Sequence, residues 1–181
     1  GVVFSGLMGY EGHAMMLPRE EKETACEDSM RLLAETRSLV EGSGLEVHIV
    51  SAGGTGTLAF TPAHPVVTEV QAGGGIMMDA LYSDGMQVVG FEHALTVLAT
   101  VVSRPVPDRG IIDAGRKTMG DKHYTPVVTG REGISIAWLS AEHGTLTLEG
   151  HGTSLEIGDK IEIIPGYSDM TVFLHERIHG V

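Results

Sequence analysis

An apolar strand that runs directly into a glycine-rich turn constrains the fold of this chain most. The strand is predicted over Leu45–Ser51, where apolar and β-branched residues dominate, and the turn covers Ser51–Thr57 with its three glycines. A helix is predicted just before the strand, over Pro18–Gly44, because proline opens it, glutamates fill its first turn and apolar residues recur at helical spacing. A helix, a strand and a glycine turn in this order are typical of α/β proteins.

The rest of the chain divides into two patterns. Short strands at Val2–Phe4, Val66–Val70 and Ile76–Leu81 surround the strand-turn unit, so residues 1–84 are predicted to be the last units of a parallel α/β barrel. Residues 85–181 are predicted to be a β-rich domain, because strand-like runs follow one another there and no helix is predicted. These runs are Ala94–Ser103, Gly110–Asp113, Ile134–Leu139, Thr145–Leu148, Lys160–Ile164 and Met170–Leu174.

The charge balance excludes two classes of partner. Acidic residues outnumber basic ones by 24 to 12, which gives a formal net charge of -12. This charge repels nucleic acid and anionic membrane surfaces, and the most apolar run, Ala94–Val102, is about half of what a membrane-spanning helix needs. Cys26 is the only cysteine, so no intrachain disulfide forms and a reducing cytoplasm is the predicted location.

The glycine turn is a candidate anion site. Glycines let backbone N–H groups approach a phosphate, and Thr55 and Thr57 add hydroxyl donors. The turn is neither an ATP-binding loop, since no Gly-Lys-Ser/Thr follows, nor a dinucleotide-binding G-x-G-x-x-G loop. Spacing alone leaves two interpretations open, an anion site and a tight turn at the end of a barrel strand.

A second motif suggests a different class of enzyme. The segment His175–His179 spells His-Glu-x-x-His, which on a helix binds Zn²⁺ through both histidines while Glu176 activates water. Here Thr171–Leu174 is strand-like, Gly180 follows at once and no third ligand lies downstream. A zinc peptidase is therefore the less favoured alternative.

Several short motifs, in order, resemble the D-threonine aldolase and D-serine dehydratase family. They are Gly6–His13, Val50–Thr57, Glu69–Gly73 leading to Met78 and Asp79, Ile112–Lys117, Glu142–Gly144 and Gly158–His175. Members of this family join a pyridoxal-phosphate-binding, alanine-racemase-like barrel to a β-rich C-terminal domain. The resemblance therefore implies a fold of class α/β plus β, with the C-terminal part of the barrel before a D-serine dehydratase-like domain.

The resemblance also implies roles for individual residues. Small residues of the glycine turn would hold the phosphate of pyridoxal 5'-phosphate, namely Ser51, Gly53, Gly54 and Thr55. Tyr10 would lie against the pyridine ring, and His13 would act on the substrate as a general acid or base, as an imidazole suits near neutral pH. His143 is a further catalytic candidate. Without the family motif, His13 and His143 would be read as ordinary loop histidines.

The metal site of the family is altered in this chain. Relatives place a histidine and a cysteine or aspartate after a Pro-Gly turn, where they bind a divalent cation. Here Tyr167 takes the place of the histidine, while Asp169 keeps the carboxylate. Because tyrosine is a poor ligand for Mn²⁺, Mg²⁺ or Zn²⁺, the site is predicted to be weakened, completed by another residue such as His143, or empty.

The lysine that binds the cofactor in this family lies in an early barrel strand, and no such segment occurs here. None of the lysines matches it; they are Lys22, Lys117, Lys122 and Lys160. We therefore expect the sequence to be part of a longer, homodimeric enzyme and to be inactive alone.

The predicted function is that of a pyridoxal-phosphate-dependent lyase acting on small D-β-hydroxy amino acids. Two reactions are open, retro-aldol cleavage of D-threonine-like substrates and β-elimination from D-serine. Asp169, where some relatives have cysteine, favours the aldolase. A metal-independent D-amino-acid racemase and a non-catalytic remnant are the alternatives.

Overall fold

A computed structural model describes residues 1–120 and 124–180. The chain divides into two compact units, each made of two segments. The first unit is Gly1–Ile76 with Met86–Gly90, and the second is Met77–Gly85 with Phe91–Val181. None of the helices in the described part of the chain has the length and hydrophobicity that crossing a bilayer requires.

The first unit holds a parallel sheet and one long helix. Its elements are β1 (Gly6–Met8), α1 (Arg19–Gly42), β2 (Ile49–Ala52) and β3 (Glu69–Val70). The sheet has the order β1-β2-β3 with both pairs parallel, so α1 connects two neighbouring parallel strands as predicted. The predicted strand at Val2–Phe4 is wrong. Pairing begins only at Gly6, where a Cβ atom would lie 2.0 Å from the carbonyl oxygen of Ile49.

Helix α1 packs one face on the sheet and ends at a glycine. Cys26 and Met30, four residues apart, are buried, and Met30 joins Val50 and Ala52 of β2 in the core of the first unit. Past the last helical turn, Gly44 takes a φ of +89°, which is the left-handed conformation that glycine adopts without strain.

The second unit is built on a six-stranded antiparallel sheet with the order β6-β9-β4-β5-β8-β7. The strands are β4 (Val97–Val106), β5 (Arg109–Ile112), β6 (Val127–Thr129), β7 (Ile134–Leu139), β8 (Gly144–Leu148) and β9 (Lys160–Ile164). The edge strands β6 and β7 contact each other, so the sheet is nearly closed. Alternate residues of β4 point into one core, among them Val97, Ala99 and Val101, which explains the period-two pattern in the sequence.

Two predictions about the elements after Gly85 are wrong, and one strand was missed. The predicted strand at Met170–Leu174 is α3 (Ser168–Val172) with a following turn, because the buried Thr171 hydroxyl donates to backbone carbonyls of Met119 and Tyr167. The prediction of no helix after Gly85 fails at α3 and at α2 (Arg116–Met119). The three-residue edge strand β6 was missed, since so short a run carries no clear alternation.

The predicted strand at Ile76–Leu81 is also wrong, since Leu81–Gly85 forms a single π-helical turn. Asp79 causes this conformation. Its fully buried carboxylate accepts the N–H of Tyr82 at 2.8 Å through Oδ1 and the N–H of Ser168 at 2.6 Å through Oδ2. One side chain therefore ties the π-helical turn to the N-terminus of α3.

We expect Asp79→Ala to lower the free energy of unfolding by about 2–5 kcal/mol, because it leaves two backbone N–H groups without their charged acceptor. The exposed Asp84 gives a matched control, and Asp84→Ala should change stability by less than about 0.5 kcal/mol. Urea unfolding of both variants measures the difference. Equal stability of the two variants would contradict the assigned role.

Candidate functional site

The glycine turn has the position and the backbone that its sequence predicts. It begins where β2 ends, Gly53 takes a φ of +76° that only glycine adopts readily, and Thr55–Thr57 forms one 3₁₀ turn. A Cβ atom at Gly56 would meet the side-chain sulfurs of Met15 and Met86, so a larger residue there would require these flexible side chains to move. The backbone is thus held close to its neighbours over the whole turn.

Hydrogen bonds inside the turn decide which of its groups remain for a ligand. The N–H of Gly54 donates to Thr57 Oγ1 at 3.1 Å, and the Thr57 hydroxyl donates to Glu11 Oε1 at 2.5 Å. Thr57 was expected to donate its hydroxyl to an anion, and this expectation is wrong because the hydroxyl donates a hydrogen bond to Glu11 instead. Thr55 Oγ1 accepts a hydrogen bond from the N–H of Gly75 at 2.9 Å, and among the described residues the Thr55 hydroxyl donates to no acceptor.

Glu11 is one of two residues near the turn whose role sequence reasoning missed. Its side chain is 1% exposed, and Oε1 accepts hydrogen bonds from the hydroxyls of Thr57 and Thr61. Its other oxygen, Oε2, is buried and has no hydrogen-bond partner among the described residues. Glutamate is rarely buried, so sequence alone places such a residue on the surface. The only signal was its position inside the Gly-Tyr-Glu-Gly-His run.

Tyr10 and His13 lie on the loop that carries Glu11. The Tyr10 ring packs against Gly54, since a Cβ atom there would be 3.0 Å from ring carbon Cε2. His13 lies in the 3₁₀ turn Gly12–Ala14 and is exposed. The structure therefore brings Tyr10 to the glycine turn and places His13 three residues further along the same loop.

Lys22 supports the turn from the other end, although sequence reasoning gave it no role. It is 4% exposed, and its ammonium group donates to the carbonyl oxygens of Met86 at 2.7 Å and Gly56 at 3.4 Å. Burial lowers its pKa from the ordinary 10.5, because a charged ammonium loses its hydration there. Lys117 and Lys160 are exposed, and Lys122 lies outside the described residues.

The remaining candidates belong to the second unit. His143 is exposed in the turn between β7 and β8, where its carbonyl oxygen accepts the N–H of Ser140 at 2.8 Å. This is the geometry of a stable turn, and it leaves the imidazole at the surface of the unit.

Tyr167 and Asp169 bind each other. The Tyr167 hydroxyl donates to Asp169 Oδ2 at 2.7 Å, and the ring meets Tyr82 edge-on with centroids 6.1 Å apart. Burial raises the pKa of Tyr167 well above its usual range, and the neighbouring carboxylate raises it further, so the hydroxyl stays protonated. Over residues 1–120 and 124–180, no group of three or more His, Cys, Asp or Glu side chains converges as metal ligands do. The Tyr167–Asp169 pair therefore offers a divalent cation one carboxylate, already hydrogen-bonded, and no imidazole.

The zinc-peptidase motif lacks the helix it needs. Residues 175–179 follow the turn after α3 and form no helix, and both histidines are exposed. His175 Nε2 lies 2.8 Å from the carbonyl oxygen of Thr118 instead. Without a helical face the two imidazoles do not form the paired ligands of that motif.

Comparison with known proteins agrees with the motifs. Residues 94–181 match the family model of a putative serine dehydratase domain. D-threonine aldolase of an Arthrobacter species is 35% identical over 98% of this chain and 48% of its own length. 3-Hydroxy-D-aspartate aldolase of Paracoccus denitrificans (strain Pd 1222) is 29% identical over 99% of this chain and 48% of its own length.

A solved structure extends the match to the fold. The crystal structure of D-threonine aldolase from Filomicrobium marinum superposes with a TM-score of 0.94 at 33% identity, over 100% of this chain and 49% of that one. The predicted class is confirmed: barrel-type α/β structure followed by a D-serine dehydratase-like β-domain. Residues 94–181 therefore belong to the serine dehydratase domain family, and the chain as a whole is similar to D-threonine aldolases. It spans about half the length of the curated relatives it matches.

Because Asp169 is already hydrogen-bonded to Tyr167, we expect the protein to bind Mn²⁺ weakly. Tyr167→His should raise Mn²⁺ affinity by roughly tenfold or more, since it adds an imidazole ligand beside the carboxylate. Tyr167→Phe is the matched control, because it releases Asp169 without adding a ligand. Isothermal titration of the three proteins with Mn²⁺ measures this, and an unaltered protein that binds as tightly as Tyr167→His would contradict it.

The lowered pKa of Lys22 predicts a pH dependence of stability. Between that lowered pKa and 10.5 the unfolded chain binds more protons than the folded protein, so the free energy of unfolding rises with pH across this window. Lys22→Met should remove this contribution, whereas the exposed control Lys117→Met should retain it. Urea unfolding over a pH series that approaches 10.5 measures both slopes. Identical slopes in Lys22→Met and the unaltered protein would contradict the prediction.

Proposed function

We propose that this chain supplies the phosphate-binding turn and the β-rich domain of a pyridoxal-phosphate-dependent lyase that cleaves D-β-hydroxy amino acids. The observation that carries the proposal is the contact between Tyr10 and the glycine turn, in a chain that is 35% identical to D-threonine aldolase over 98% of its length. We further propose that residues 1–84 belong to the cofactor-binding barrel and residues 85–181 to the β-domain, in a cytoplasmic homodimer.

The turn fits the phosphate group of the cofactor. Its residues carry no charge that would repel an anion, and the Thr55 hydroxyl has a proton to donate. Ser51 stands at the strand end, where its hydroxyl donates to Glu69 Oε1 at 2.6 Å and accepts from Gln71. We therefore assign the phosphate to the segment Gly53, Gly54 and Thr55, with the Thr55 hydroxyl as a donor because the Gly54 N–H is bonded to Thr57, and we give Ser51 a supporting place.

The names of the curated relatives favour retro-aldol cleavage over β-elimination, since one is an aldolase of D-threonine and the other of 3-hydroxy-D-aspartate. In this reaction the bond between Cα and Cβ breaks, the β-hydroxyl loses its proton to give an aldehyde, and Cα takes up a proton to give glycine. The cofactor, when bound, accepts the electron pair left on Cα. Tyr10 would hold the ring in place, and His13, exposed on the same loop, would take the hydroxyl proton.

The Tyr167–Asp169 pair supports a second candidate, a D-amino-acid racemase or related enzyme that needs no metal. A carboxylate that already accepts a hydrogen bond from a tyrosine hydroxyl at 2.7 Å is less available as a ligand for a cation beside the substrate hydroxyl. Aldehyde release from D-threonine distinguishes the two candidates, because a racemase inverts Cα alone and forms L-allo-threonine and no aldehyde.

The test of His13 uses the full-length protein loaded with pyridoxal 5'-phosphate. His13→Ala should lower kcat for aldehyde release from D-threonine by about 10²–10⁴-fold, as loss of a general base does. His48, an exposed histidine of the same unit, gives the control, and His48→Ala should leave kcat unchanged. A kcat for His13→Ala within about threefold of the control would exclude His13 as the base.

A further inference from the structure

We propose that Glu11 is a positioning residue, which aligns the phosphate-binding turn with the Tyr10–His13 loop and thereby sets the preference for a phosphorylated cofactor. The inference rests on the proposed function and deepens it. Glu11 would touch neither cofactor nor substrate, since its side chain is 1% exposed and points to Thr57 and Thr61.

The first step is the orientation of one peptide group. The N–H of Gly54 donates to Thr57 Oγ1 at 3.1 Å, while the carbonyl oxygen of Gly53 accepts the N–H of Gln71 at 3.3 Å. Because a peptide group is planar, these two bonds fix the plane between Gly53 and Gly54. Glu11 Oε1 accepts the Thr57 hydroxyl at 2.5 Å. The carboxylate therefore fixes the Thr57 oxygen that accepts the hydrogen bond from the Gly54 N–H.

The second step concerns the other side of the same residue. The backbone carbonyl oxygen of Glu11 accepts the N–H of Ala14 at 2.9 Å and so closes the 3₁₀ turn that contains His13. Glu11 therefore binds the glycine turn through its side chain and the His13 turn through its backbone. Tyr10, its neighbour in sequence, packs on Gly54. Glu11 thus connects the glycine turn, the His13 turn and, through its neighbour Tyr10, the contact with Gly54.

The third step is energetic. Burying a carboxylate is costly because the group loses its hydration, and hydrogen bonds from neutral hydroxyls recover only part of that cost. Oε2 has no hydrogen-bond partner among the described residues, so the cost is not fully offset. An apolar side chain would fill the same space without this penalty. The carboxylate is therefore better explained by the two hydroxyls it orients than by stability.

The experiment compares binding of pyridoxal 5'-phosphate with binding of pyridoxal, which lacks the phosphate, to the full-length protein. The Kd of pyridoxal divided by the Kd of pyridoxal 5'-phosphate measures the preference for the phosphate group, and so reports on the turn. Glu11→Leu should reduce this ratio by about tenfold or more, because Thr57 and hence Gly54 lose their fixed partner. Glu11→Gln should keep it within about threefold, since its amide oxygen still accepts both hydroxyls.

Two further variants exclude a general loss of stability as the cause. Thr57→Val should lower the ratio as Glu11→Leu does, and the double variant should be no worse than either, because both act through one hydrogen bond. Thr68→Val removes another part-buried hydroxyl of the first unit, one bonded to the backbone of Val50, and should leave the ratio unchanged. If Glu11→Leu does not fold, Thr57→Val alone decides the question.

The outcomes separate this inference from the proposed function. A protein that binds both compounds equally overturns both. A protein that prefers the phosphorylated cofactor, and keeps the preference in Glu11→Leu and Thr57→Val, supports the function and overturns the role of Glu11. If Thr68→Val also loses the preference for the phosphorylated cofactor, the effect is merely structural, and the role of Glu11 is overturned.

Discussion

The geometry of the candidate site depends on a buried carboxylate. Glu11 accepts the hydroxyls of Thr57 and Thr61, and through Thr57 it holds the amide of Gly54. At the other end of the turn the buried ammonium of Lys22 holds the carbonyl oxygen of Gly56. Two buried side chains therefore hold this one short turn in place. The Gly54 N–H and the Thr57 hydroxyl are thereby occupied, and the Thr55 hydroxyl is the side-chain donor left for the proposed phosphate contact.

The second unit uses a buried carboxylate in a different way. Asp79 has both oxygens bound by backbone N–H groups, from Tyr82 and Ser168, so it is fully satisfied and acts as a structural clamp. The clamp sets where α3 begins, immediately after Tyr167. Tyr167 and Asp169 then bind each other, and a half-buried, neutral hydroxyl occupies the position at which the sequence resemblance implies a metal ligand.

Elements with strong local signals were predicted from the sequence, and elements decided by distant contacts were not. The helix at α1 and the strands at β4 and β9 follow from helical spacing or alternation within their own residues. The apolar run Met170–Leu174 became helical because Thr171 bonds to Met119, 52 residues earlier in the chain. Ile76–Leu81 likewise does not form the predicted strand, because Asp79 accepts hydrogen bonds there, one of them from a residue 89 positions away.

The sequence by itself determined the resemblance to the family, the division into an α/β part and a β-rich part, and the presence of a tyrosine at position 167 beside Asp169, because these depend on the order and identity of residues. The tertiary structure alone decided that Glu11 and Lys22 are buried and which groups of the glycine turn they occupy. A charged residue is buried only where folding brings partners to it. For Glu11 those partners lie 46 and 50 residues away, so no local pattern reveals them.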